Sequence, residues 1–201
     1  MKTSTAPSTS SSASEPRLDP PGAGLPALEH MIANMLFAWS CLSGSRERFT
    51  RTFQAERERV VSLARRCDAE SGARRVLIRR LPGLEDSSRY WSVFMTLEHL
   101  CLVHEGIARV ITSLGQGKVP PGKASTAAVK PAPGADERTI ETFELSCDKV
   151  LKAAESVPDL RTGARYDHPW FGALDAYGWY AMAPFHLRLH RRQIEVIRAG
   201  L

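Results

Sequence analysis

The sequence predicts an all-α protein built as a four-helix bundle. Apolar residues recur at three- and four-residue spacing in four long stretches, clusters of Gly and Pro separate those stretches, and no segment alternates apolar and polar residues as a half-buried strand does. With 201 residues, 43% of them hydrophobic and 24% charged, the chain is large enough for one hydrophobic core, and its composition excludes collagen-like, disulfide-dense and wholly disordered classes. The most apolar stretch, 27 to 42, is interrupted by Glu29, His30 and Asn34, short of the roughly 18 uninterrupted apolar residues of a membrane span. No membrane partner is expected.

Residues 1–24 are rich in Ser, Thr, Pro, Ala and Gly and bury too little apolar surface to offset the entropy of ordering, so they are expected to form a disordered tail ahead of a helical domain at 25–201. The first helix begins at Ala27. Leu28, Met31, Ile32, Met35, Leu36, Trp39 and Leu42 form its apolar series, which resumes at Phe49, Phe53, Val60, Val61 and Leu63 and describes one long helix, kinked or interrupted near Gly44. Gly72, Pro82 and Gly83 break the next stretch, and Glu85-Asp86-Ser87-Ser88 has the capping oxygens and early acids of a helix start, so a second helix is expected from 88 to 114. Gly115 ends it, and the prolines at 120, 121, 131 and 133 mark a long surface loop. The third helix, 136–156, carries Phe143, Cys147, Val150 and Ala154 on one stripe and stops before Pro158. The fourth runs from about 174 to 198 and ends at Gly200.

The net charge of +5 is concentrated in one place: eleven arginines against five acids lie between Arg46 and Arg80. Much of that segment interleaves signs, as in Glu56-Arg57-Glu58-Arg59, the pattern of a solvated helix face. Nucleic acid is therefore not the expected partner, and the pairs Arg65-Arg66, Arg74-Arg75 and Arg79-Arg80 lack the interleaved aromatics of a single-strand binder. Cys41, Cys67, Cys101 and Cys147 offer no CxxC pair and read as small hydrophobes in a reducing compartment. The N-terminal residues have no apolar signal core, so a cytoplasmic location is expected.

Chemistry in a bundle comes from polar residues on inward stripes. At about 100° per residue, Trp179, Ala183, His186, His190, Ile194 and Ile197 fall on one stripe of the fourth helix, with Arg188, Arg191, Arg192, Glu195 and Arg198 opposite. Two imidazoles at i and i+4 can share one ion, and neutral imidazole is a common transition-metal ligand. Hydrogen bonds to water or carbonyls would satisfy them equally well. The second helix offers His99 and His104 on different apolar flanks, and periodicity does not choose between them. His168, in His168-Pro169-Trp170-Phe171-Gly172, is expected to dock aromatics beneath a loop rather than to cover a site. Pro184 is expected to kink the fourth helix just before His186.

Together, Tyr90-Trp91-Ser92-Val93-Phe94-Met95-Thr96-Leu97-Glu98-His99-Leu100, His168-Pro169-Trp170-Phe171-Gly172 and His186-x-x-x-His190-Arg191-x-Gln193-Ile194 resemble the DinB-like superfamily, four-helix bundles regarded as metalloenzymes. The resemblance spans residues 27 to 198. It implies metal ligands at His99, His186 and His190, a divalent ion such as zinc, nickel or iron, and an open coordination position suited to catalysis. Some members are thiol-dependent transferases or isomerases, so a low-molecular-weight thiol and a small-molecule substrate are implied partners, with hydrolysis a further option. Trp91, Thr96, His168 and Trp179 are expected near the site. The rival reading is a metal-free helical module for binding or interaction, and a homodimer is compatible with either.

Overall fold

The stretch from 27 to 63, expected as one long helix kinked or interrupted near Gly44, is interrupted there. In the computed structural model, which describes residues 15–201, α1 (Ala27–Ser43) and α2 (Arg46–Ala64) are separated at Gly44. A Cβ at Gly44 would lie 2.3 Å from the Phe49 ring, so the aromatic ring occupies the space a side chain would need. Ser45 then caps α2 by accepting from the Arg48 backbone N–H at 3.2 Å.

Among the described residues the remaining helices are the short α3 (Ala69–Ala73), α4 (Val93–Gly115), α5 (Thr139–Ser156) and α6 (Ala176–Ala199). The four-helix bundle consists of α2, α4, α5 and α6: α4 packs against α5 and α6, and α2 against α6. Phe53, Phe94, Leu97, Phe143, Leu187 and Ile194 are fully buried between them, each stabilising the fold by roughly 1.5–3 kcal/mol through burial. Two helices begin later than their sequence signals suggest. Tyr90–Trp91 pairs antiparallel with Val76–Leu77 as β2 and β1, so α4 starts only after its cap Ser92. Asp175 caps α6 at the Gly178 N–H, 2.8 Å away, after the hairpin of β3 (Tyr166–His168) and β4 (Gly172–Leu174). Strands of two or three residues are too short to register as a period-two pattern.

The apolar series of α1 does not enter the core. Only Phe37 is buried; Leu28, Met31, Ile32, Met35, Leu36, Trp39 and Leu42 are exposed, because among the described residues no other helix lies on that side. Instead α1 is held along one edge. Phe37 stacks on Phe171 with ring centroids 4.2 Å apart, His30 Nε2 meets the Trp170 carbonyl at 2.9 Å, and Glu29 pairs with Arg80 at 2.7 Å.

The arginine-rich segment pairs mainly across helices rather than along one: Arg57 meets Asp148 at 2.6 Å and Arg65 meets Glu144 at 2.7 Å. Glu56, 1% exposed, is met by Arg59, Arg188 and Arg191, which satisfies a carboxylate that burial would otherwise penalise. Of the expected tail, 1–14 lie outside the described residues. Residues 15–24 contact the connection between α3 and α4 through Glu15 to Arg75, the Asp19 N–H to Asp86 and the Gly22 N–H to Glu85. Among the described residues no helix is long and apolar enough to cross a membrane.

Candidate metal centre

Within α6, His186 and His190 sit one turn apart, and the helix continues through Pro184. Opposite them on α4 stands His99. The three rings meet through the same atom: His186 Nε2 lies 3.2 Å from His99 Nε2 and 3.1 Å from His190 Nε2. One ligand atom from each lies within 4.8 Å of the others. The other α4 histidine goes elsewhere. His104 donates from Nδ1 to the Ser146 hydroxyl at 3.0 Å, on the α5 side of the bundle, and Ser146 in turn donates to the Phe143 carbonyl.

Two of the three outer nitrogens report their ring's protonation. His99 Nδ1 lies 2.8 Å from the Val129 carbonyl; a carbonyl only accepts, so the proton of the neutral ring is on Nδ1 and Nε2 presents a lone pair. Gln193, fully buried, donates from its amide to the Ser88 carbonyl at 2.7 Å, which turns its Oε1 toward His190 Nδ1, also at 2.7 Å. His190 Nε2 is therefore a lone pair as well. His186 Nδ1 is buried without a partner. A neutral His186 carries one proton, enough to satisfy one neighbour while leaving the other lone pair facing nothing.

Protonation is not the remedy. Burial pushes the His99 pKa down to about 4 and holds His186 and His190 well below the usual imidazole value, with mutual repulsion of the clustered rings adding to it. A cation at the point of convergence would satisfy all three lone pairs at once. Nitrogens bound tetrahedrally to one zinc at about 2.0–2.1 Å lie about 3.3–3.4 Å apart, within a few tenths of an ångström of the two short separations. The donor set fits a divalent transition metal, and the carbonyl partners supply the outer hydrogen bonds that orient such ligands.

Around the rings, Trp91 stacks on His190 with centroids 6.2 Å apart and lies tilted against His99 at 5.1 Å. Trp179 donates from Nε1 to the Tyr166 carbonyl at 3.1 Å and packs on His168 at 5.2 Å. His168 also stacks on Phe171 at 4.8 Å, so it docks aromatics as expected and lines the cavity beside the site as well. The Thr96 hydroxyl, by contrast, donates to the Ser92 carbonyl within its own helix. The cavity, about 1690 Å³, reaches from Trp91, His99, His186 and His190 past Phe171 and Phe185 to α1.

Sequence reasoning left three partners unassigned: Gln193 and the carbonyls of Val129 and Ser88. Gln193 carried a signal, an amide three residues after His190 on an inward stripe. The two carbonyls carried none, because any residue supplies one.

A family model described as the DinB superfamily matches residues 27–194. Among solved structures the chain is similar to TT2238, a four-helix bundle protein, with 20% sequence identity and a TM-score of 0.56, over 75% of this chain and 98% of that one. That likeness concerns the fold alone. No curated protein matches the chain.

Proposed function

The chain belongs to the DinB superfamily, and from that membership and the converging imidazoles we propose a metal-dependent enzyme whose His99, His186 and His190 hold one divalent ion beside a small-molecule cavity. The observation that carries this reading is the pair of outer hydrogen bonds that turn two Nε2 lone pairs toward the third ring. Neutral imidazoles suit zinc, nickel or iron. When bound, such an ion lowers the pKa of a thiol or water that reaches it, which favours a thiol-dependent transfer or a hydrolysis, with a low-molecular-weight thiol as co-substrate.

The chain's own residues would do the rest. Val129 and Gln193 hold two of the rings in one tautomer, and Trp91 shields them from solvent. His168 Nδ1 accepts from the Trp170 N–H at 3.1 Å, so its neutral ring keeps the proton on Nε2, an uncharged donor available to a substrate carbonyl. Burial holds its pKa to about 4, which keeps it neutral at pH 7. We assign residues 25–201 to the functional domain and 1–24 to its tail. Four free cysteines favour a reducing compartment, for which we propose the cytoplasm.

Metal analysis by mass spectrometry of tag-free protein, beside a His186→Ala, His190→Ala variant, tests the assignment. Near-stoichiometric metal in the wild type, lost in the variant, is expected and would justify assays with thiol acceptors and hydrolysable esters or amides. Absence of metal from both after reconstitution would overturn it and leave a metal-free binding module.

A further inference from the structure

Helix α1 carries apolar residues on several sides, yet the described residues cover only one of them. The angular positions of its residues, taken at about 100° each, separate three strips. Phe37, with His30 and Cys41 beside it, faces the hairpin and α6. Ile32 and Leu36 border the cavity of the metal centre. Leu28, Met31, Met35, Trp39 and Leu42 form the third strip, within an arc of about 80°, and are 65%, 54%, 65%, 69% and 81% exposed. A helix apolar on all sides belongs in an interior.

The spacing along that strip identifies what completes the interior. Residues 28, 31, 35, 39 and 42 are separated by three, four, four and three positions, a series that reads the same from either end about Met35. A second copy of α1 laid antiparallel, with a two-fold axis at Met35, sets Leu28 against Leu42, Met31 against Trp39 and Met35 against its own counterpart. This self-complementarity is the requirement of an isologous interface. The strip carries no charge to oppose itself, and the helix's one acid, Glu29, is engaged by Arg80 and the Gly83 N–H. With Ile32 and Leu36, the strip leaves on the order of 800 Å² of apolar surface per chain, above the largest patch of a typical monomer and equal to one side of a standard interface.

We propose that the protein is a homodimer joined by antiparallel α1 helices, and that the partner helix borders the mouth of the cavity beside Ile32 and Leu36. Other occupants fit less well. Residues 1–24 contain only Met1 and Leu18 as large apolar side chains, too few to cover the strip. A membrane-surface helix draws on Lys and Arg along its polar face, and 27–43 contain neither. The inference does not depend on the metal assignment.

The test uses the full chain at micromolar concentration. Light scattering on the wild type is expected to give twice the chain mass. Met35→Glu and Met35→Lys, at an exposed position that leaves the bundle intact, are each expected to weaken association at least 100-fold, and an equimolar mixture of the two to restore the dimer. Under mild oxidation Met35→Cys is expected to give a covalent dimer absent from the wild type. Leu28→Cys alone is not, since its two copies lie about 20 Å apart in this register, whereas Leu28→Cys mixed with Leu42→Cys is. A wild-type monomer overturns the proposal, whether it stays free or co-sediments with phosphatidylserine vesicles, and self-linking of Leu28→Cys overturns the antiparallel register. Metal content measured on the same samples is expected to be unchanged, so the two proposals fail separately.

Discussion

Replacing Gln193 by leucine removes the bridge between the Ser88 carbonyl and His190 Nδ1, two hydrogen bonds of 2.7 Å each. Gln193 is fully buried and Ser88 is 8% exposed, so water does not readily replace either bond. Each orphaned group costs about 1–3 kcal/mol. The leucine recovers part of that by transfer from water, leaving a net loss of about 1–4 kcal/mol in the metal-free protein. The second effect concerns the ligand. Without Oε1 the His190 ring loses its preference for a proton on Nδ1, and a lost outer partner weakens metal binding about 10- to 100-fold. Denaturant unfolding with chelator present measures the first effect, and competition against a chromophoric zinc chelator measures the second. Gln193→Glu separates them: it keeps an acceptor for Nδ1–H while losing the donor to Ser88, so it should destabilise the fold yet retain more of the metal affinity than leucine does. Equal affinity loss in both variants, or a leucine variant within threefold of wild type, would refute the tautomer argument.

Three further outcomes follow from packing and burial. The His104 pKa is pushed down to about 3 by burial, so the unfolded chain takes up that proton below about 6.5 and the folded chain does not. The group's contribution is complete above pH 6.5 and declines by about 1.4 kcal/mol per pH unit as pH falls toward 3; His104→Leu should reduce the stability difference between pH 7 and pH 5 by about 2 kcal/mol in urea unfolding. Gly44→Ala forces a Cβ against Phe49 at 2.3 Å and the Ser40 carbonyl at 2.5 Å, with an expected loss of about 1–3 kcal/mol in thermal unfolding. Arg191→Met removes the 2.5 Å partner of the buried Glu56 carboxylate and should cost about 2–4 kcal/mol; denaturant melts of Arg191→Met beside an Arg191→Met, Glu56→Met double variant should show the double to be the more stable.

The helices and the apolar stripes they carry were legible because periodicity is a local property of the chain. Four stretches, the break at Gly44 and the shared face of His186 and His190 all rest on residues within a few turns of one another. His99 was named through the family resemblance, since periodicity places His99 and His104 on apolar flanks of equal merit. The structure separates them: the first meets α6 and the second meets Ser146 of α5.

What the sequence by itself determined is which surfaces are apolar and which inward positions carry imidazole. The tertiary structure decided what each surface meets. An apolar stripe states a tendency to leave water without naming the surface that replaces it, so α1 and α6 both carry one, yet the strip of α1 is exposed whereas the stripe of α6 is buried. The same reason governs the candidate metal centre. Its ligand types are side chains and appear in the sequence, but the tautomers of His99 and His190 depend on the Val129 carbonyl thirty positions beyond His99 and the Ser88 carbonyl reached through Gln193, backbone groups that every residue carries and only the folded chain brings into place.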